Sequence, residues 1–353
     1  MLHSLSIQGY RSLLDVSLKL APLTVVQGAN GAGKSNLYKA LRLFSALAEG
    51  TFPQAMAAEG GTPSCFWAAP TPGPQGPKTI SLNARTAAFD WQVKFGLVPT
   101  TPGDPTFFRT DPDVKKETLR SETATHSRAA WSREISHTES LLSYIRDSAN
   151  YPELAQARED ILSWRFYEGF RSDDHSPLRQ PSARYWSPVL HPDGSNLAAA
   201  LQTIRESSFP YRLEEIIARA FPEHKLEIDG ENASQLGIRW SHPDLKRPLA
   251  AHELSDGTLR FLALTAALLA PQPPSLLVLN EPENSLNPSL FPALEQLIEW
   301  ANEASQVLVI THSEALATHL QEQKNALHHQ LVLKDGATRL AQDAEARRVW
   351  NFD

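Results

Sequence analysis

One run of eight residues limits the fold more than any other. Gly28-Ala29-Asn30-Gly31-Ala32-Gly33-Lys34-Ser35 carries its glycines, lysine and serine at the spacing G-x-x-x-x-G-K-[ST]. A short apolar run, Leu23 to Gln27, precedes it. After it, Leu37, Ala40, Leu41, Phe44 and Leu47 recur at a helical period, and Gly50 offers a stop. Strand, glycine loop and helix in that order make a nest for an anion. The loop can curl with its N–H groups inward, and the helix adds the positive end of its dipole. Lys34 is placed to reach the β- and γ-phosphates of a nucleotide, and the Ser35 hydroxyl to ligate Mg²⁺. A glycine-rich turn that binds nothing would leave four matched positions and the flanking strand and helix unexplained.

The final third of the chain supplies a partner for such a loop. Apolar strands at Leu276 to Leu279 and Val307 to Thr311 alternate with helical patterns at about Thr258 to Leu269 and about Leu290 to Ser305. This alternation predicts an α/β core with parallel strands. In such sheets ligands gather at the C-terminal ends of the strands. There the first strand runs into Asn280-Glu281 and the second into Thr311-His312-Ser313. Glu281 is the candidate general base for a water attacking the terminal phosphate. Asn280 offers a neutral carbonyl oxygen that can accept from a metal-bound water, and joins Ser35 as a candidate metal residue. His312 can hydrogen-bond the phosphate and the attacking water. Upstream, Leu254-Ser255-Asp256-Gly257-Thr258 opens a helix. Ser255 suits an N-cap, and Gly257 permits a phosphate to approach the backbone closely.

Composition removes other classes. The 353 residues hold 33 Lys and Arg against 40 Asp and Glu, a net charge of −7. That balance argues against a protein that coats nucleic acid by bulk charge, while leaving room for a local basic groove. A single cysteine, Cys65, allows neither an internal disulfide nor a cysteine zinc cage. The histidines, including the pair His328-His329, lack partners at ligand spacing and suit a solvated surface. The longest apolar stretch, Phe261 to Ala270, is about half of a membrane span. No signal-peptide pattern opens the chain, so the expected location is the cytoplasm, without a membrane.

The remaining segments set the domain plan. Strands are expected at Leu2 to Gln8, Leu14 to Leu20 and Leu23 to Gln27. Residues 51–77, rich in Pro and Gly, suit a loop. Thr79 to Leu97 has strand composition, with a hairpin turn expected near Asn83-Ala84-Arg85. The polar stretch 114–170 predicts a surface helical insertion with no heptad arm. Its aromatic run, Phe166, Tyr167 and Phe170, suits packing better than a nucleic-acid groove. The plan is therefore 1–97 as the first part of a nucleotide-binding head, 98–188 as a mostly helical insertion, and 189–353 as the rest of the head.

Taken in order, these motifs resemble the ATP-binding-cassette class of ATPases, and within it the SMC/RecF-like branch of stand-alone AAA-type ATPases. The likeness rests on Ile7-Gln8-Gly9-Tyr10-Arg11-Ser12-Leu13, the glycine loop with Asn36-Leu37, Ser255-Asp256-Gly257-Thr258-Leu259-Arg260, Leu279-Asn280-Glu281-Pro282-Glu283-Asn284-Ser285-Leu286, and Thr311-His312-Ser313. It is tight over about 1–50 and 250–315, with a short island at Asp193 to Leu197 between. The resemblance implies an α/β P-loop NTPase of ABC-head type, with a mixed, largely parallel central sheet and a helical insertion. It implies ATP and Mg²⁺ as ligands, nucleotide binding by Gly28, Asn30, Gly31, Ala32, Gly33, Lys34, Ser35 and Asn36, and catalysis by Glu281, His312 and Lys34. It also implies a head-to-tail homodimer on ATP. In that dimer Ser255, Asp256 and Gly257 of one copy face the γ-phosphate on Lys34 of the other.

Three positions depart from relatives' patterns, and the first of these changes is one that the SMC/RecF-like branch tolerates. Asp256 replaces the glycine of transporter versions, Asn280 an aspartate, and Asn287 an aspartate or histidine. The metal-sensing glutamine of such ATPases has only Gln92 and Gln180 as weak candidates. By analogy of fold, the resemblance points to DNA repair, recombination or defence against foreign DNA. DNA and a partner nuclease or effector are then the open partners. Two alternatives stay open: a nucleotide-gated binding module with little turnover, and, behind it, a transporter ATPase subunit.

Overall fold

A computed structural model describes residues 1–68, 78–99, 105–322 and 326–346. The chain forms a mixed α/β fold in two compact units, Met1–Trp164 with Asn325–Asp353, and Arg165–Lys324.

In the first unit the expected opening strands are present as Leu2–Tyr10, Leu13–Lys19 and Leu23–Gly28. The first two pair antiparallel and continue through Thr79–Thr86, Asp90–Leu97, Pro112–Arg120 and Thr125–Ser127 into a six-stranded antiparallel sheet. Leu5, Ile7, Leu82, Ala84, Trp91 and Val93 alternate onto one buried face, and Ser6, Gln8, Asn83 and Gln92 onto the other. Leu23–Gly28 belongs to a different layer, where it runs parallel to Ala326–Lys334, and that strand turns back as Ala337–Leu340. The helix Lys34–Glu49 ends at left-handed Gly50, whose N–H reaches Ala46 O, as the glycine predicted. Its apolar face buries Leu37, Leu41, Phe44 and Leu47, each worth about 2 kcal/mol. Phe44 meets Trp91 and Trp164 with ring centroids 5.5 and 6.1 Å away.

Several local expectations need correction. The hairpin turn lies at residues 87–89, because the Thr86 hydroxyl accepts from the N–H groups of Ala88 and Phe89 and closes the chain there. Asn83 to Arg85 are ladder residues. Within 51–77, Phe52–Ala58 and Thr62–Cys65 are helical, both with proline in the first turn, where its missing N–H costs nothing. Residues 69–77 lie outside the described residues. The stretch 114–170 is helical at Leu141–Tyr144 and Pro152–Ser163, but its beginning is strand. His329 is buried, with Nε2 2.7 Å from Lys19 O, rather than solvated.

The second unit holds the predicted alternation. Leu276–Asn280 lies parallel to Gln306–Thr311 on one side and to Arg165–Glu168 on the other. Both longer strands are buried at every residue, as a central parallel strand should be. The helices Asp256–Leu268 and Phe291–Asn302 connect and cover them. Tyr167 and Phe170 are buried, and the Tyr167 hydroxyl donates to Leu190 O, so the aromatic run packs as expected.

Candidate functional site

The first unit carries the glycine loop. Gly31 has φ +81 with open space around it, and Gly33 has φ +99. At Gly33 a methyl group would lie 2.0 Å from Thr338 Oγ1 and 2.8 Å from Ser12 Oγ, so only glycine fits. These two hydroxyls brace the loop from behind. Ser12 Oγ and Thr338 Oγ1 are 2.7 Å apart, Thr338 Oγ1 donates to Ala32 O, and Thr338 N donates to Ser12 O. Asn36 turns to this brace, its Nδ2 donating to Ser12 Oγ at 2.8 Å. Lys34 is 4% exposed and curls back, with Nζ 2.9 Å from Gly28 O and 3.1 Å from Ala29 O. Asn30, Gly31 and Ser35 stand exposed on the outer side of the loop. Glycine where a Cβ cannot go, a lysine folded over the loop and an outward hydroxyl form a cradle that fits a nucleotide polyphosphate and a hard cation.

The second unit gathers the carboxylates. Glu281 follows the buried strand with φ +50, a left-handed conformation that costs a residue with a Cβ about 1 kcal/mol. Its N–H donates to Ile310 O at 2.7 Å, which ties it to the neighbouring strand. Its Oε2 accepts from Asn284 Nδ2 at 2.7 Å, and its Oε1 lies 3.5 Å from His312 Nδ1. The sequence-predicted pair Glu281 and His312 is thus brought together. Asn280 is 5% exposed; its Nδ2 donates to Glu168 Oε1 at 3.0 Å, while its buried Oδ1 has no hydrogen-bond partner. A buried amide oxygen without a donor suits a bound cation or its water. Among the described residues no group of three or more His, Cys, Asp and Glu is placed to hold a metal alone. Mg²⁺ bound mainly through nucleotide phosphates asks for no such group.

Two residues escaped the sequence. Glu283 is buried, its side chain 4% exposed. Its Oε1 accepts from the Thr311 hydroxyl and from the N–H groups of His312 and Ser313, and lies 3.4 Å from His312 Nδ1. It therefore fixes the turn that presents His312. Glu168 pairs in register with Asn280, a placement that only the strand topology reveals. The available signal was an acid two residues past Glu281 and an acid after the aromatic pair Phe166-Tyr167; neither is distinctive in a sequence. Gln92 lies on the antiparallel sheet of the first unit, and Gln180 follows a short turn in the second.

The segment Leu254 to Thr258 also opens a helix as expected. Ser255 caps the helix Asp256–Leu268, its Oγ accepting from Thr258 N at 3.1 Å. A methyl group on Gly257 would lie 3.2 Å from Ser285 O, so that backbone passes close to the loop after Glu281. Arg260 Nη1 donates to Asn284 O in the same loop. Asn287 caps the next turn, its Oδ1 accepting from Ser289 N at 3.0 Å, which is a structural task.

Among the described residues no helix is long and apolar enough to cross a membrane. A curated relative, the phosphate import ATP-binding protein PstB of Mycoplasmoides gallisepticum (strain R(low / passage 15 / clone 2)), is 28% identical over 141 residues. The match covers 38% of this chain and 43% of that protein, so the chain spans less than half of this relative. Among solved structures, an Smc head bound to the C-winged helix domain of ScpA superposes with a TM-score of 0.58 at 14% identity, covering 98% of this chain and 99% of that one. The SMC head domain from Thermotoga maritima gives 0.52 at 15% identity, covering 96% and 98%. The shared fold is that of an SMC head. A family model described as "AAA ATPase domain" matches residues 1–78. A second, described as "AAA domain, putative AbiEii toxin, Type IV TA system", matches residues 104–318, well over half of the chain. The chain belongs to this AAA-domain family, with the α/β fold of an SMC head.

Proposed function

We propose that the chain is a Mg²⁺-dependent ATPase whose two copies close on ATP and separate after hydrolysis, and that it serves DNA repair, recombination or defence against foreign DNA. Glu281 carries the reading. A side chain held in a left-handed backbone at the end of a buried strand, with Asn284 and His312 on its carboxylate, is a constraint that the fold maintains against its own preference. Such constraints gather where a group must point in one direction for chemistry.

In this reading the loop N–H groups and Lys34 bind and orient the phosphates. Glu281 holds the attacking water and takes up its proton, and His312 donates to the phosphate oxygens. Glu283 keeps His312 in place. Ser35 and Asn280 would hold Mg²⁺, which when bound neutralises charge on the β- and γ-phosphate oxygens. Ser255, Asp256 and Gly257 act on the nucleotide of the second copy.

The test is turnover beside binding. Glu281→Gln should lower kcat by about 10²–10³ while ATP still binds. Lys34→Ala should lose ATP binding itself. Light scattering on Glu281→Gln should record a doubling of mass with ATP. Equal turnover in wild type and Glu281→Gln would remove Glu281 from the chemistry. Asn280, neutral where the resemblance has aspartate, supports a second reading: a nucleotide-gated module that turns over slowly and controls a partner nuclease. Closure with ATP and a negligible wild-type rate, with and without DNA, would favour it.

A further inference from the structure

Arg179 closes the short turn Pro177–Arg179 and is almost wholly buried, its side chain 9% exposed. Its guanidinium meets four acceptors. Nε donates to Ser172 O at 2.9 Å, and Nη1 donates to His252 O at 3.0 Å and to Leu254 O at 2.9 Å. Nη2 donates to Asp256 Oδ1 at 2.5 Å. One side chain thus grips the backbone on the approach to Ser255 and the carboxylate just after it. Lysine could not replace it, since a single ammonium cannot spread over four fixed acceptors in a fork. Asp256 itself is 56% exposed, so the pair sits at the surface with its anion outward.

That arrangement raises a problem of charge. On the proposed function, on which this inference rests, Ser255 to Gly257 approach the terminal phosphate of a second copy's ATP. A free carboxylate there would face several negative oxygens across a drying interface, where like charges repel far more strongly than in water. We propose that Arg179 is a positioning residue for closure: it neutralises Asp256 and fixes its direction, so that Ser255 to Gly257 can approach a triphosphate. The same frame reaches the catalytic loop. Arg260 Nε donates to Ser172 Oγ at 3.2 Å and its Nη1 donates to Asn284 O at 3.3 Å, so Ser172 is shared by the arginine on Asp256 and the arginine on the loop after Glu281.

A double-mutant cycle tests this in the full chain, in the Glu281→Gln background. ATP-dependent association is measured by light scattering for the parent, Arg179→Ala, Asp256→Asn and both together. ATP binding by the dilute single copy is followed in parallel. Arg179→Ala should weaken association about tenfold or more, because it uncovers the carboxylate. Asp256→Asn supplies the background in which no carboxylate is left to uncover, so Arg179→Ala should cost less association there than in the parent. The double variant should associate more tightly than Arg179→Ala, since the uncovered charge is gone. ATP binding by the single copy should stay level across the four. A double variant no tighter than Arg179→Ala would mean that Arg179 only holds backbone carbonyls, and would overturn the proposal. A parent that never associates with ATP would sink the proposed closure, and this inference with it. If Arg179→Ala does not fold, Arg179→Gln keeps donors for the carbonyls, drops the charge and carries the same comparison.

Discussion

The phosphate loop and the carboxylate corner are built in opposite ways. The loop is eight consecutive residues, and its shape is a property of backbone: two glycines with positive φ and a helix start. Its support is a pair of small hydroxyls, Ser12 and Thr338, that press on it from behind. The corner draws on three strand ends, with Glu168, Asn280 and Thr311 closing them and Glu281, Glu283 and His312 just beyond. There, side chains hold one another, and the backbone strain at Glu281 is maintained by contacts from distant positions. A site made by backbone fails by steric clash; a site made by side chains fails by loss of charge or of a hydrogen-bond partner.

The sharpest way to break that contrast lies in the loop. Gly33→Ala puts a Cβ into a left-handed residue and drives it onto Thr338 Oγ1 at 2.0 Å. Left-handed strain of about 1–2 kcal/mol and overpacking of about 1–3 kcal/mol should add to roughly 3 kcal/mol of lost stability. Gly31→Ala carries only the strain, because nothing lies within 4 Å, and should lose about 1 kcal/mol. Urea unfolding of the two variants compares them directly. Equal losses would mean that the Ser12 and Thr338 brace yields freely, and that the loop is not shaped from behind.

In the corner the corresponding change is one of charge alone. Asn280 gives up the negative charge an aspartate would bring, and Glu168 stands in register beside it with its carboxylate on the amide. Glu168→Gln should therefore raise the Mg²⁺ concentration that half-saturates Mg²⁺-dependent ATP binding by about tenfold, as loss of an outer-shell carboxylate does in other metal sites. Asn280→Asp combined with Glu168→Gln restores the charge one strand over and should recover most of the loss. A magnesium titration indifferent to Glu168→Gln would reduce that contact to packing.

How much of this a sequence reveals follows the same division. The loop and its helix were legible because backbone geometry demands particular residues at particular spacings, and Gly50 ends the helix where a left-handed cap is needed. The buried strands at 276–280 and 306–311 were legible because they are apolar throughout. Glu168, Glu283 and Arg179 were not, because each acts on a residue that only the fold brings near. The strand Pro112–Arg120 was hidden by a different cause. The register against Asp90–Leu97 slips between Lys94 and Phe95, where Lys94 faces Lys116 and Phe95 faces Val114. Lys115 is the extra residue of a bulge, so two consecutive lysines point outward and the alternation breaks. The polar run then reads as a helix surface.

The bulge also turns Glu117 inward, where it is fully buried. Its carboxylate accepts from Trp91 Nε1 at 2.9 Å, Ser140 Oγ at 2.6 Å and Leu141 N at 2.8 Å, capping the short helix Leu141–Tyr144. Burial pushes its pKa up, and this outweighs the three donors and Arg128, which pull it down. The folded value then lies above the unfolded one, so the group costs stability as pH rises through the folded pKa, and that cost vanishes below the unfolded pKa. Glu117→Gln cannot titrate, and its amide would turn a donor toward Leu141 N, a loss of about 1 kcal/mol. The advantage of wild type over Glu117→Gln in thermal melts should therefore be largest below the ordinary glutamate range, at about pH 4, and shrink as pH rises above it. An advantage that grows with pH would show that the three donors outweigh burial, and that this buried carboxylate is held by its partners in the way Glu283 is held in the other unit.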